Sequence, residues 1–420
     1  MPLYSAPGVY IEEMATGPRP IEGVGTSTAG FIGVAPARNQ HVHKLRWYDN
    51  WTQFVKELVP DDPAKVQSTP LSHAVFGFFQ NGGSRCAVVN VGEDNSIEGG
   101  GLTRKGLALF EEADEIAIVA APGFTDVSSY EALLSHCEKL GDRVAVLDSP
   151  AAVSRVNALT VVGTVAAPAT RRQGGGAMER PAAAEGEGEA EGVGLRPRQS
   201  PGGYGAFYFP WIVVRDPFLV GGGAEGRVTV PPSGHIAGIY ARTDSTRGVH
   251  KAPGNEVIRG ALGLAYRVTR QEQEFLNPAG VNCIRFFPNE GIRVYGARTL
   301  AESSSEWRYL NVRRLFNMIE ESIGRGTRWV VFEPNDRSLW KSICRDISAF
   351  LTVIWRQGAL MGRTQEEAFF VKCDDETNTP EEINQGRVVT IIGLAPVKPA
   401  EFVVFRIGQG VGGTEVAAQS

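Results

Sequence analysis

Residues 21–163 alternate short apolar runs of strand length with helix-like segments, and this alternation restricts the fold more than any other feature. The runs span residues 29–34, 86–91, 116–120 and 143–147. Thr69 and Pro70 predict a helix start, as N-cap and first helical residue, and Gly82 predicts its end. Such alternation is typical of a mostly parallel sheet covered by helices. Residues 204–214 resume the pattern after a break.

The break, residues 166–203, consists mainly of Ala, Gly, Glu, Pro and Arg. Its only Leu, Ile, Val or Phe residues are Val193 and Leu195. A segment with so few apolar side chains cannot bury enough surface to offset the entropy that it loses on ordering. We therefore predict a disordered surface insertion, at about residues 165–204, within a first α/β domain of residues 21–250.

From residue 251 onward the pattern changes to longer helices. Two apolar stripes at helical spacing predict two of them, with Val312, Leu315, Phe316, Ile319 and Ile323 in one and Leu339, Ile343, Ile347, Phe350, Leu351 and Ile354 in the other. Strands are predicted at residues 329–332, 367–372 and 387–394. Because 420 residues exceed the usual size of one domain, we expect a second domain, at residues 251–398. The predicted fold class is α/β plus α+β.

Each end of the chain carries a short β-forming run beside prolines. Within residues 1–20, Val9 and Ile11 face one side of a predicted strand and Tyr10 the other, before Glu12. The prolines around this run prevent the segment from folding on itself. The alternative is a frayed terminus.

At the other end, Pro396 and Pro399 precede a second β-forming run, which includes Phe402, Val403, Val404, Phe405 and Ile407. Left exposed, such a run promotes aggregation, so we expect it to pair with a sheet. Two partners remain open, namely the sheet of its own domain or a sheet elsewhere. Residues 408–420 are Gly-rich and polar, and we predict that they form a flexible tail at the end of the segment 399–420.

No motif predicts a catalytic, cofactor-binding or metal site. The sequence contains no Gly-Lys pair and hence no Walker A loop. Residues 25–29, Gly-Thr-Ser-Thr-Ala, lack the last glycine of a nucleophile elbow and precede a strand. His41 and His43 have no third ligand nearby, and the carboxylates of residues 374–376 lack the spacing of a calcium loop. We expect no enzyme; the alternative is an α/β hydrolase-like enzyme that relies on Ser27 or a carboxylate pair.

The net charge, the cysteine spacing and the apolar runs argue against several other classes of protein. The net charge of -5 gives no general attraction to nucleic acid or anionic lipid, and we expect neither as a partner. The five cysteines are scattered without a CxxC pair, which predicts reduced thiols. No signal peptide is visible, and the apolar run at 347–355 is too short to span a membrane. We expect assembly in the cytoplasm.

Arginines cluster between residues 308 and 328, among them Arg308, Arg313 and Arg314. One interpretation is a solvated helix face, paired with glutamates of the same helix. The other is a salt-sensitive contact surface for an acidic partner. Because no nucleic-acid motif accompanies them, we do not predict DNA binding.

Taken together and in order, a set of segments resembles one family. The segments are residues 7–13, 28–33, 238–244, 247–255, 276–282, 296–300, 307–315, 332–336 and 399–407. They resemble the tail sheath proteins of contractile phages, R-type pyocins and extracellular contractile injection systems. The resemblance covers both ends and most of residues 230–407, whereas residues 35–230 match only in general style and the insertion has no counterpart.

The resemblance implies a helical sheath of stacked six-subunit rings around a rigid inner tube, in a virion or an extracellular phage-tail-like particle. It implies contraction, baseplate and cap proteins as further partners, and chain ends that act as arms and join neighbours by β-augmentation. It places the first domain outward and the second inward, which makes Arg308, Arg313 and Arg314 candidates for tube contact. Another tail component, such as a tube or baseplate protein, is a further alternative.

Overall fold

The structure is a computed structural model, and it describes residues 20–62, 66–94, 96–99, 104–164, 194–219 and 226–402. The predicted strand residues that lie outside these ranges are Val9, Tyr10, Ile11, Glu12, Val403, Val404, Phe405 and Ile407. Phe402 is the last described residue.

The described chain forms two sets of elements. The strands are β1 (Ala29–Gly33), β2 (Leu45–Tyr48), β3 (Cys86–Asn90), β4 (Ile118–Ala120), β5 (Val144–Asp148), β6 (Gly205–Phe209), β7 (Ile212–Arg215), β8 (Arg227–Val230), β9 (Glu256–Val257), β10 (Gly263–Leu264), β11 (Val281–Phe287), β12 (Gly291–Tyr295), β13 (Phe369–Lys372) and β14 (Ile391–Leu394). The helices are α1 (Trp51–Leu58), α2 (Pro70–Asn81), α3 (Val127–Leu140), α4 (Ser233–Arg247), α5 (Arg270–Leu276), α6 (Leu310–Gly326), α7 (Arg337–Arg356), α8 (Gln365–Ala368) and α9 (Pro380–Asn384).

A nine-stranded sheet organises the first part of the chain, in the order β2-β3-β1-β4-β5-β6-β11-β12-β9. The six strands from β3 to β11 run parallel, and β2, β12 and β9 pair antiparallel at the two sides. The predicted mostly parallel sheet is confirmed. Thr69 caps α2 through the amide of Ser72, and Gly82 ends the helix in the left-handed conformation, as the sequence predicts.

Successive residues of the central strands enter opposite cores, because side chains alternate along a strand. On β1, Phe31 belongs to the core beneath α1, α2 and α4, whereas Ile32 belongs to the core beneath α3 and α5. On β6, Tyr208 and Phe207 divide in the same way. Strands buried on both faces explain why the runs in the sequence are continuously apolar.

Helices α2 and α4 cross closely because glycines face their contact. A Cβ atom at Gly234 would lie 2.2 Å from the Cα atom of Ala74, and one at Gly238 would lie 2.5 Å from the carbonyl oxygen of Phe78. Real Cβ atoms do not approach this closely, so a side chain at either position forces the helices apart.

The sheet extends further along the chain than the sequence predicts. β11 pairs in parallel with β6, so residues 281–287 complete the sheet of the first domain. The predicted boundary at residues 250 and 251 therefore cuts through the sheet, and this assignment needs correction. A third core, built mainly from α6, α7, β13 and β14, forms the second part of the chain.

Two local predictions are also corrected. Of the insertion predicted to be disordered at about residues 165–204, residues 194–204 have a defined structure, since Arg196 forms a β-bridge with Val162 and Ser200 is buried. Residues 165–193 lie outside the described residues. The strand predicted at 329–332 is instead a 3-10 turn, Arg328–Val330, whose backbone bonds three residues back rather than to another strand. All five cysteines are free thiols, as the sequence predicts. In the described part of the chain, no helix has the length and apolar character of a bilayer span.

Candidate assembly site at the roots of the two chain ends

Helix α6 contacts both ends of the described chain. Its sequence pattern predicts one apolar face and one polar face, with Arg313, Arg314 and Asn317 on the polar side. In the structure these polar side chains are buried as well, at 3%, 3% and 4% exposure. The N-terminal root, which we define as residues 20–28, and α4 cover Arg314, whereas the rings of Trp307 and Tyr204 cover Arg313.

The N-terminal root crosses the second half of α6. Ile21 is buried in the third core, and a Cβ atom at Gly326 would lie 2.7 Å from its Cγ1 atom, so the glycine permits this approach. The amide of Val24 donates to Oγ of the buried Ser322, at 3.0 Å. These contacts fix the point at which the chain enters the folded body.

A buried ion pair locks the N-terminal root to two helices. Arg314 on α6 donates to both carboxylate oxygens of Asp244 on α4, at 2.9 and 2.6 Å. Arg314 also donates to the carbonyl of Thr26, at 2.9 Å, and the Thr26 hydroxyl donates to Asp244, at 2.6 Å. Because the side chains of the ion pair are only 3% and 5% exposed, removing either partner leaves a buried charge uncompensated.

Arg313 also contacts residues of its own subunit. Its Nε atom donates to Asn317, at 2.7 Å, and its guanidinium carbon lies 4.1 Å from the centre of the Trp307 ring. Of the three arginines predicted to touch a tube, only Arg308 is partly exposed. Arg308 donates to the carbonyl of Ser303, at 2.6 Å. The predicted basic contact surface is thus not present as a surface in this structure, because two of its three members pair internally.

The C-terminal root, which we define as residues 395–402, passes the first turn of α6. The side-chain amide of Asn311 donates to the carbonyl of Val397, at 3.0 Å. Four residues later, Glu401 accepts two hydrogen bonds from Arg298, at 2.8 and 2.6 Å, and one from the Tyr309 hydroxyl, at 3.3 Å. Burial favours a higher pKa for Glu401, but the hydrogen bonds and charge of Arg298 outweigh it, so the pKa lies below its ordinary value.

The ion pairs of both roots were missed by sequence reasoning. Asp244, Arg298 and Glu401 all lie in segments that resemble the sheath family, but the sequence assigns no role to them. Their one signal is a charged side chain within a short, mostly small or apolar segment. The sequence does not identify the partner of such a charge, because Glu401 and Arg298 are 103 residues apart.

A small sheet of two antiparallel strands, β13 and β14, lies beside α7. One face packs on the third core, and the other exposes Phe370 (55%) and Ile391 (48%). The amide of Ala395 donates a hydrogen bond to the carbonyl of Ala368. Two residues along each strand, Gly393 lies opposite Phe370 in the same register.

Among the described residues, the small sheet has two edges that no further strand covers, and an isolated bridge between Leu360 and Pro396 lies just beyond the end of β14. Because bonding alternates along antiparallel strands, Gly393 and Ile391 direct their backbone groups to β13. Ile392 and Leu394 therefore direct theirs to the opposite edge, and Val371 directs its own to the outer edge of β13. Within the described ranges, neither edge carries a further strand.

The other predicted candidates do not form a site. Thr26, in the elbow-like segment, bonds to Asp244, and the cavity beside it measures about 10 Å³, room for a single water. His43 contacts Asp94, at 3.4 Å, and the part of the chain that is described holds no group of three metal-ligating side chains. Asp374 accepts hydrogen bonds from the amides of Glu376 and Thr377, so this carboxylate stabilises a turn.

Comparison with known proteins relates this chain to phage tail sheath proteins. Residues 98–300 match the family model of the phage tail sheath protein central domain, and residues 302–409 match that of the phage tail sheath C-terminal domain. The tail sheath protein of Vibrio phage KVP40 is 30% identical over 177 residues, which cover 41% of this chain and 26% of the relative. The chain thus spans only part of the length of the curated relatives it matches.

Solved structures are similar over nearly the whole chain. The contracted sheath complex of an extracellular contractile injection system, PVC, has a TM-score of 0.72 at 28% identity, covering 98% of this chain and 99% of that one. The contracted helical sheath of the anti-feeding prophage, AFP, has a TM-score of 0.71 at 29% identity, covering 97% and 100%.

Proposed function

The chain belongs to the phage tail sheath family, and on this premise we propose that it is the structural subunit of a contractile injection sheath, which polymerises through its two arms. The arms are residues 1–20 and the end of the chain from Phe402, since Glu401 is still attached to the body. Contraction of the polymer drives an inner tube through a target envelope.

The observation that carries this proposal is that, in the described part of the chain, no further strand covers either edge of the small sheet. Val371 on one edge and Ile392 and Leu394 on the other offer backbone donors and acceptors. Both arms contain a β-forming run, and the C-terminal run continues from Phe402, which is 74% exposed. We propose that arm strands of neighbouring subunits pair with these edges, which extends the sheet from two strands to four.

Two favourable terms contribute to the free energy of such pairing. An arm strand that forms about five backbone hydrogen bonds gains ~0.5–1.5 kcal/mol from each. Each apolar side chain that it buries adds ~1.5–3 kcal/mol, before the cost of ordering the arm is subtracted. The fixed roots on α6 keep the arms attached to a rigid body, and Pro18 limits the directions in which the N-terminal arm leaves.

This arrangement supports a mechanism for contraction. If the connections lie in the arms, subunit bodies can exchange one set of mutual contacts for a more favourable set without separating. A modest gain per subunit, summed over the sheath, then supplies the work. The bodies stay rigid during the change because buried ion pairs, such as Arg314 with Asp244, hold their helices together.

Partners and orientation complete the proposal. We place the second part of the chain toward the inner tube and the first part outward, with baseplate and cap proteins at the ends of the sheath. Of the three predicted tube contacts, we retain only Arg308, because Arg313 and Arg314 are buried. The particle is a virion or an extracellular phage-tail-like particle assembled in the cytoplasm.

Negative-stain electron microscopy of the purified 420-residue chain tests this function. We expect tubes or cogwheel-like rings. Deletion of residues 403–420 removes the β-forming run and abolishes them, whereas deletion of residues 410–420 spares the run and leaves them intact. A chain that stays monomeric contradicts the polymer, and tubes formed without residues 403–420 contradict the role of that arm.

A further inference from the structure

Two cysteines meet where α7 packs against the end of the small sheet. Cys344 lies in the middle of α7, and Cys373 directly follows β13, 29 positions further along the chain. The Sγ atom of Cys344 donates to the carbonyl oxygen of Cys373, at 3.8 Å. A disulfide forms only between residues whose backbones lie close together, and here the thiol of one cysteine contacts the backbone of the other. Both thiols are free in this structure.

The two thiols differ in their access to solvent. Cys373 is buried, at 7% exposure, whereas Cys344 is only partly buried. The side-chain amide of Asn378 donates to the Sγ atom of Cys373, at 3.4 Å, and the side-chain oxygen of Asn378 accepts from the amide of Val389, at 2.7 Å. Asn378 therefore holds the Cys373 thiol in place. A small oxidant reaches Cys344 from solvent, and Cys373 is positioned beside it to react in a second step.

The surroundings of Cys344 control how fast it reacts. Burial raises the pKa of the Cys344 thiol, and the neighbouring Cys373 thiol raises it further, although the hydrogen bond to the Cys373 carbonyl opposes the shift. One thiol affects the pKa of the other only because the two groups are close in space. Since the thiolate is the reactive form, the pair reacts slowly at neutral pH and faster as the pH rises.

We propose that Cys344 and Cys373 are a redox pair, which a small-molecule disulfide converts into a disulfide within the chain. The Cys344 thiolate attacks one sulfur of the oxidant, forms a mixed disulfide and releases one small thiolate. The Cys373 thiolate then attacks the Cys344 sulfur, closes the new bond and releases the second small thiolate. The two cysteines are oxidised, the oxidant is reduced to two thiols, and these take up the two protons that the cysteines lose.

The new bond joins α7 to the end of β13. It closes a loop that contains the second half of α7, α8 and β13, and it thereby restricts the unfolded chain. The small sheet is the surface on which we propose that arms pair, so oxidation fixes this surface to the body. Oxidation on leaving the reducing cytoplasm rests on the proposed function, whereas the thiol pair is a property of the single chain.

Oxidised glutathione, added to the complete reduced chain, tests the pair. Remaining thiols are then alkylated, and the peptides are identified by mass spectrometry. We expect a peptide that links Cys344 to Cys373, formed faster at about pH 9 than at about pH 7, and a thermal midpoint that is a few degrees higher. On a non-reducing denaturing gel the oxidised chain migrates as a monomer, because the bond lies within one chain.

Single substitutions separate the two steps. In Cys373→Ser the second step is impossible, so Cys344 keeps a glutathione adduct, whereas Cys344→Ser gives neither the adduct nor the linked peptide. Should Cys373→Ser not fold, Cys373→Ala replaces it, because alanine removes the sulfur without burying a hydroxyl. Cys137→Ser, at a side chain that is 0% exposed in another core, is the control and leaves the linked peptide unchanged.

Three outcomes overturn the proposal. They are persistence of all five thiols, a glutathione adduct on Cys344 of the unaltered chain without the linked peptide, and disulfide-linked dimers in place of the internal bond. Each is read from peptide masses or a denaturing gel, whether or not the chains assemble. Failure of the pair is therefore distinct from failure of the proposed function, which microscopy detects.

Discussion

The carboxylate of Glu401 accepts two hydrogen bonds from Arg298, at 2.8 and 2.6 Å, one residue before the described chain ends. This pair separates the part of the C-terminal segment that belongs to the body from the part that we propose to act as an arm. On the other side of α6, Arg314 and Asp244 do the same for the N-terminal root. In the polymer that we propose, each subunit is linked to its neighbours through its arms, and these pairs are then the points where the load on the arms reaches the body.

The first prediction concerns Glu401→Gln. The substitution removes the charge that compensates the buried guanidinium of Arg298, so we expect a loss of about 1–3 kcal/mol in the free energy of unfolding. Urea denaturation of the assembly-blocked chain, without residues 403–420, measures the loss. Glu333→Gln, at an exposed position, is the matched control and changes the midpoint little. Equal midpoints for the two variants contradict the anchoring role of Glu401.

The second prediction concerns the ion pair of Arg314 and Asp244. Arg314→Met or Asp244→Asn alone leaves the other charge buried, and each costs about 3–5 kcal/mol. The double variant loses much less than the sum, because no unpaired charge remains. For comparison, Arg337→Met breaks an ion pair with Asp375 whose side chains are 76% and 64% exposed, and it costs less than about 1 kcal/mol. If the losses in the free energy of unfolding from the two buried substitutions simply add, the two side chains do not stabilise the protein as an ion pair.

The third prediction concerns the crossing of α2 and α4. Gly238→Ala places a methyl group 2.5 Å from the Phe78 carbonyl, and we expect a loss of about 1–3 kcal/mol or more from overpacking. Gly324→Ala is the control within α6, where nothing lies within 4 Å of the added atom. It gains about 0.5–1 kcal/mol, since alanine favours a helix over glycine. The thermal unfolding midpoints of the two variants provide the measurement. Equal midpoint shifts for Gly238→Ala and Gly324→Ala would contradict the close crossing of α2 and α4.

The fourth prediction concerns acid sensitivity. Burial, assisted by the charge of Arg143, lowers the pKa of His136 from 6.5 to about 4, although Glu111 and Asp142 oppose the shift. Between these pH values the unfolded chain binds a proton at His136 that the folded chain does not. The contribution of His136 to stability is therefore fully present above pH 6.5 and is lost as the pH falls toward 4, by up to about 3 kcal/mol.

His136→Gln removes this contribution, so its stability curve between pH 6.5 and 4 is flatter than that of the unaltered chain. Burial raises the pKa of Asp148 to about 7, so this carboxyl lowers stability as the pH rises. That effect is common to both proteins and cancels in their difference. Urea midpoints across the range provide the measurement, with the loop residue His41→Gln as control. Parallel curves for His136→Gln and the unaltered chain contradict the prediction.

The sequence predicts local elements well where apolar period and end signals agree, as in α2 with Thr69 and Gly82. The sequence does not predict burial or strand pairing where these depend on residues far apart in the chain. The polar face of α6 gives no sign that Arg314 meets Asp244, 70 residues earlier, and an exposed and a buried arginine have the same sequence pattern. Likewise, β11 joins the first sheet only because it pairs with β6 across the chain. Pairing of the arms with the small sheet is a prediction of the same non-local kind.

Residue-resolved hydrogen exchange of the small sheet tests the central claim most directly. In the assembly-blocked chain, without residues 403–420, the amides of Val371, Ile392 and Leu394 face unpaired edges and exchange rapidly, whereas those of Gly393 and Ala395 are protected. In the assembled sheath, we expect the three edge amides to become as slow as their paired neighbours, because an arm strand now accepts their hydrogen bonds. Edge amides that exchange equally fast in both states would contradict polymerisation by strand exchange.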